Sequence, residues 1–106
     1  MPKYMSTGSY TVEGVKGVLK EGGTGRRKAV ESAIKAMGGH MEAYYFAFGD
    51  NDVVVISELP DHVTALALSM GIAATGTVGV KTTVLLTPEE VDQATKKTLS
   101  FRAAGQ

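Results

Sequence analysis

A chain of 106 residues, 43% apolar and 21% charged, has the size and balance of one folded domain spanning residues 1–106 with a single core. Lysine plus arginine and aspartate plus glutamate each number 11, so there is no bulk field to hold nucleic acid or an anionic membrane surface. The chain has no cysteine, which excludes thiol catalysis, disulfides and cysteine-type zinc sites, and no window nears the roughly 20 apolar residues of a membrane span. A cytoplasmic protein is expected, without membrane or nucleic-acid partners.

Tyr4 to Tyr10 reads as a first strand, since Tyr, Met and Thr favour extended backbone. Thr11 then offers a helix cap, and Val12, Val15, Val18 and Leu19 follow at helical spacing. Gly14 and Gly17 each weaken that helix by about 1 kcal/mol relative to alanine, so packing must hold it together as far as Glu21. Gly22 to Gly25 predicts a break. A second helix, capped by Thr24, is expected over Arg26 to Met37, with Val30, Ala33, Ile34 and Met37 on one stripe, and Gly38-Gly39 ends it.

From Glu42 to Leu59, two aromatic and β-branched runs flank Gly49-Asp50-Asn51-Asp52, which predicts a hairpin with Asp50-Asn51 at its tip. Direct pairing about that tip sets Phe48 opposite Val53, Phe46 opposite Val55 and Tyr44 opposite Ser57 on one face, with Ala47 opposite Val54 and Tyr45 opposite Ile56 on the other. Both faces are apolar. One face therefore calls for helices, and the other for more helices or a second copy of the chain.

Pro60 closes the hairpin, and Asp61 caps a helix to about Ala74, with Val63, Leu66, Ala67 and Met70 expected inward and Thr75-Gly76 ending it. Thr77 to Leu86 reads as a strand in which Gly79 marks a bulge or close approach. Thr87-Pro88-Glu89-Glu90 is a specific helix start, with Thr87 as cap, Pro88 at the first position and Glu90 as the reciprocal acid. That helix is expected to run to about Thr98, with Leu99 and Phe101 docking the tail. The element order predicts an α+β, ferredoxin-like βαββαβ fold, with an antiparallel four-stranded sheet plus a C-terminal helix. The free apolar sheet face predicts a homodimer or higher homo-oligomer, packed sheet to sheet.

Several motifs occur in a recurring order: Thr11 with Glu13-Gly14, an arginine at 26 or 27, Gly38-Gly39 ahead of Tyr44-Tyr45, Gly49 and Asp52 about a turn, Pro60-Asp61, and Thr82-Thr83. In these the chain resembles the GYD domain family, small bacterial proteins of the dimeric α/β barrel class, mostly of unknown function. The tyrosine of the Gly-Tyr-Asp signature is replaced here by Asn51.

Candidate chemistry is sparse. Asp50 and Asp52 could serve a hard cation, but Asp and Asn also stabilise turns unaided, so neither a metal nor a cofactor is expected. Thr24, Arg26, Arg27 and Lys28 combine a helix start with three consecutive cations, which suits a phosphate or carboxylate ligand. His40, Tyr45 and Asp52 are the candidate proton-transfer residues, and His62 has a weaker claim. No hydrolase or zincin motif is present. The leading expectation is a self-associating domain that binds a small molecule or assists a partner. The alternative is a small cofactor-independent isomerase or oxygenase with its pocket between sheet and helices, where Ala43 and Ala47 leave room beside Tyr45.

Overall fold

The computed structural model describes residues 1–106. Its elements are β1 (Lys3–Tyr10), α1 (Val12–Ala36), β2 (His40–Phe46), β3 (Val53–Glu58), α2 (His62–Ala73), β4 (Val78–Leu85) and α3 (Pro88–Thr95). The strands form one antiparallel sheet in the order β2-β3-β1-β4. This is the predicted α+β, ferredoxin-like arrangement, with α1 and α2 on one sheet face. No helix is long and apolar enough to cross a membrane.

Local chemistry starts each helix as the residues foretell. The Thr11 side chain accepts from the Gly14 amide at 3.3 Å, and Asp61 accepts from Thr64 at 2.7 Å. Thr87 and Glu90 complete a reciprocal capping box behind Pro88. The break inside α1 is narrower than the four residues expected: only Gly22 leaves helical geometry, at φ 80° and ψ 169°. That left-handed position favours glycine, and it separates two helical segments across a kink, as the expected break requires. Thr24 therefore lies within a helical turn and does not cap one.

Alternate residues of β3 build the core. Val53, Val55 and Leu59 are buried with Tyr4 of β1, Ile34 of α1 and Ala65 of α2, and Tyr10, Val30, Met37, Met41, Tyr44 and Leu68 pack around them. The hairpin register differs from direct pairing by two residues: Phe46 faces Val53, Tyr44 faces Val55 and Tyr45 faces Val54. Ala47 to Asp52 form a longer loop closed by the Ala47 amide on the Asp52 carbonyl at 2.9 Å, which leaves Phe48 fully exposed. A slip of two keeps every side chain on its predicted face, so Tyr44 and Phe46 still share a face with Val53 and Val55. Because that face is the helix side, the uncovered face carries Met5, Ala43, Tyr45, Val54 and Ile56, with Thr7, Lys81 and Thr83 beside them, and Phe46, Phe48 and Val55 have no part in it. The bulge falls in β2 between Met41 and Ala43, not at Gly79, which pairs regularly with Ser9. There Glu42 reaches Lys3 at 2.8 Å.

Two further expectations are corrected. In α2 the residues expected inward, Val63, Leu66, Ala67 and Met70, are exposed, and Ala65, Leu68, Ser69 and Ile72 meet the sheet. The helix is apolar nearly all round, so periodicity does not select a face, and the small Ala65 allows the closest approach. The last helix stops at Thr95, and Leu99 and Phe101 stand free in an exposed tail.

Two glycines of α1 test this packing with opposite signs. A Cβ on Gly14 would sit 1.9 Å from the Thr77 carbonyl oxygen, whereas one on Gly17 would meet nothing within 4 Å. Denaturant unfolding is expected to show Gly14→Ala destabilised by about 3 kcal/mol through overpacking. Gly17→Ala should be stabilised by about 1 kcal/mol through helix propensity alone.

Candidate functional site

Small side chains on the helix face of the sheet leave space beneath the helices. Ser6 and Gly8 of β1, Val55 and Ser57 of β3 and Val78 and Val80 of β4 form the floor of a cavity of about 60 Å³. Val30 and Ile34 of α1 and Leu68, Ser69 and Ile72 of α2 form its roof, with Arg26 and Tyr44 at one end. At roughly 10–15 Å³ per water-sized group, the space holds about four to six such groups, so its occupant is small.

Polar groups are few and ordered. Ser57 is only 2% exposed and lines the cavity, so it sets a hydroxyl into a largely apolar floor. On the far side of β1 from Ser57, Thr82 of β4 joins Ser69 at 2.7 Å and Ser6 at 3.3 Å, a hydroxyl rung between sheet and α2.

The other end is assembled by the bend at Gly22. It turns the second half of α1 so that Arg26 leans over the sheet, where its guanidinium donates to Glu21 at 3.0 Å and lies beside Tyr10. Burial works against the Arg26 charge, but its bonds with Glu21 and Tyr10 outweigh that and hold it more firmly protonated. Burial, reinforced by Tyr10, pushes the Tyr44 phenol well above its ordinary range, so Tyr44 is a neutral donor at physiological pH. Phe46 packs edge-on to Tyr44 at 5.5 Å and against Gly23, which fixes this corner. With Glu21 balancing Arg26, the end of the cavity is rich in donors but close to neutral.

A shallower groove lies alongside, between α2 and the outer strand β4. It is lined by Tyr4, His62, Ala65, Leu66, Thr82 and Val84, and it shares Ser69 and Val80 with the cavity. At its head the buried Tyr4 hydroxyl meets His62 Nδ1 at 2.5 Å, with the two rings edge-on at 5.7 Å. Burial, then the Asp61 carboxylate, raises the Tyr4 phenol above its usual range.

The residues singled out from sequence are spread apart. His40 is exposed at the start of β2, and Tyr45 is exposed on the uncovered face five residues on, about 17 Å away at the strand rise. Asp52 accepts from the Tyr10 amide at 2.8 Å, while Ser9 donates to the Asp50 carbonyl at 2.7 Å. Gly49, Asp50, Asn51 and Asp52 thus belong to a loop tied to the end of β1, and Gly49 supplies its positive φ of 97°. Of Thr24, Arg26, Arg27 and Lys28, only Arg26 turns inward. Consecutive helical residues point about 100° apart, and Arg27 and Lys28 stay exposed. Ala43 and Tyr45 lie on the opposite face from the cavity and Ala47 lies in the loop, so the pocket is between sheet and helices but not beside them. Sequence reasoning missed Ser57, and it reads Tyr4, Tyr10 and Tyr44 as packing residues able to reach a polar group, not as members of a site. Strand alternation, which puts Tyr4, Ser6, Gly8 and Tyr10 on one face, was the available signal.

The raised Tyr44 pKa carries a stability consequence. The fold holds the Tyr44 proton beyond the ordinary tyrosine value of 10.0, so above it the native state binds more protons than the unfolded chain. Stability should be fully present below pH 10 and fall as pH rises further. Denaturant midpoints at rising alkaline pH are expected to fall less steeply for Tyr44→Phe than for the parent.

Compared with known proteins, residues 4–95 match the family model described as GYD domain. No curated protein and no solved structure matches the chain.

Proposed function

The chain belongs to the GYD domain family, and from that premise we propose that it is a self-associating domain that binds a small, largely apolar molecule between its sheet and helices. The observation that carries this reading is Ser57: it sets a hydroxyl into the floor of a largely apolar cavity, where a ligand atom can reach it. Arg26 and Tyr44 supply donors at the far end, with the Arg26 charge offset by Glu21. A neutral or singly charged compound with an acceptor, such as a short carbonyl or carboxyl compound, fits that donor set.

Ligand-observed and protein-observed NMR with small carbonyl, amide and carboxylate compounds tests it. At least one compound should shift the signals of Val55, Ser57 and Leu68, and Ser57→Ala should weaken it about tenfold, the worth of one hydrogen bond. Shifts confined to other surfaces would remove the cavity as the binding site.

Self-association is supported by the uncovered sheet face, where Met5, Val54 and Ile56 lie side by side with the exposed Tyr45. Light scattering at micromolar concentration should give at least a dimer for the parent. Ile56→Glu, which sets a charge in the middle of that face, should give the monomer mass with an unchanged circular dichroism spectrum. A parent of monomer mass would refute self-association.

A further inference from the structure

We propose that the C-terminal segment, α3 and the tail to Gln106, docks in the α2–β4 groove of a second copy and closes the open side of its cavity. The proposal rests on the self-association reading but uses a different surface. Its first support is shape. The radius of gyration is 17.1 Å, whereas a compact chain of this length has about 13 Å, and the longest extent is 58 Å.

Area supports it in the same direction. The accessible surface is 7466 Å², against about 5,700 Å² for a compact monomer of this mass. The excess, about 1,800 Å², is more than twice the roughly 800 Å² per partner that a standard interface buries. Pairing through the sheet face alone leaves much of it uncovered.

The segment and the groove also match in chemistry. Every residue from Leu86 to Gln106 is exposed, among them Val91, Leu99 and Phe101. The groove is bordered by Leu66 and Val84, themselves more than two-fifths exposed, with Met70 beside them. In its own chain the segment is exposed and does not pack on the body, which points to docking in trans. Only Leu86 and Thr87 separate β4 from α3, the Thr87–Glu90 box with Pro88 fixes the start of the helix, and α3 has no more than marginal contact with the other elements of its own chain. Reach is ample, at about 12 Å for the eight-residue helix and up to about 36 Å for the extended tail. Since the groove shares Ser69 and Val80 with the cavity, a docked Leu99 or Phe101 would complete the cavity wall from the partner copy.

The absence of native cysteine makes the test direct. Full-length Leu66→Cys and full-length Phe101→Cys are mixed, oxidised and run on non-reducing gels, with the assembly mass measured in parallel by light scattering. A disulfide-linked dimer in the mixture, several-fold above either variant alone, is the expected result. The double variant Leu66→Cys/Phe101→Cys should likewise link between chains. An intramolecular link in the double variant overturns docking in trans. A dimeric mass without the mixed cross-link overturns tail docking and leaves the sheet-face reading standing, whereas a monomeric mass overturns both.

Discussion

The alternation of β3 is the constraint from which the rest of the molecule follows. Val53, Val55, Ser57 and Leu59 point one way, toward Tyr4, Ile34 and Ala65, while Val54, Ile56 and Glu58 point the other. A strand between two partners can satisfy both faces only if something covers each, and α1 and α2 cover one. Slipping the strand by one residue would exchange the two sets and leave the helices without a surface to pack on. The same alternation delivers a serine to the middle of the core. Ser57 occupies a position where a larger apolar residue would close the floor, so the strand that builds the core also leaves the cavity in it.

Gly22 decides what that cavity can recognise. A straight α1 would carry Arg26 along the helix axis, whereas the single left-handed residue tilts the second segment and brings the guanidinium to Glu21, Tyr10 and the cavity mouth. Four polar side chains from two helical turns and two strands then hold each other in place. The pairing also has a chemical effect. Glu21 cancels most of the charge that Arg26 would otherwise present, so the corner offers donors in place of a strong positive potential. Exposed neighbours Arg27 and Lys28 remain screened by solvent and do not add to it.

What was legible in the sequence divides along the range of the interactions involved. Helix starts at Thr11, Asp61 and Thr87 depend on atoms three residues away, and they stand where cap chemistry puts them. The partition of side chains between sheet faces was legible too, because it needs only parity. Register was not, since the loop after Phe46 is held by Asp52 on the Tyr10 amide and by Ser9 on the Asp50 carbonyl, links across some forty residues. The face of α2 was hidden by its uniform apolarity. Tyr4 and His62 are 58 positions apart, and their bond exists only because β1 lies under the start of α2. Candidate residues chosen by type alone, such as His40 and Tyr45, fell at separate places because nothing in their spacing required them to converge.

The thinness of the core joins these points. Only 10 of the 106 residues are buried, and the buried apolar set is completed by partly exposed neighbours such as Tyr10, Val30 and Leu68. A chain of this length has a small margin between burial and conformational entropy, and this one leaves an apolar sheet face, the outer side of α2 and the whole C-terminal segment in water. Each of those surfaces borders the cavity or the elements that enclose it. Under the proposed pairing, covering them adds to the stability of the same strands and helices that shape the pocket, because whatever binds only the folded chain stabilises it by mass action. Assembly and ligand capacity would then be linked through one scaffold: the packing that holds β3 against α1 and α2 also holds Ser57 and Tyr44 at the cavity.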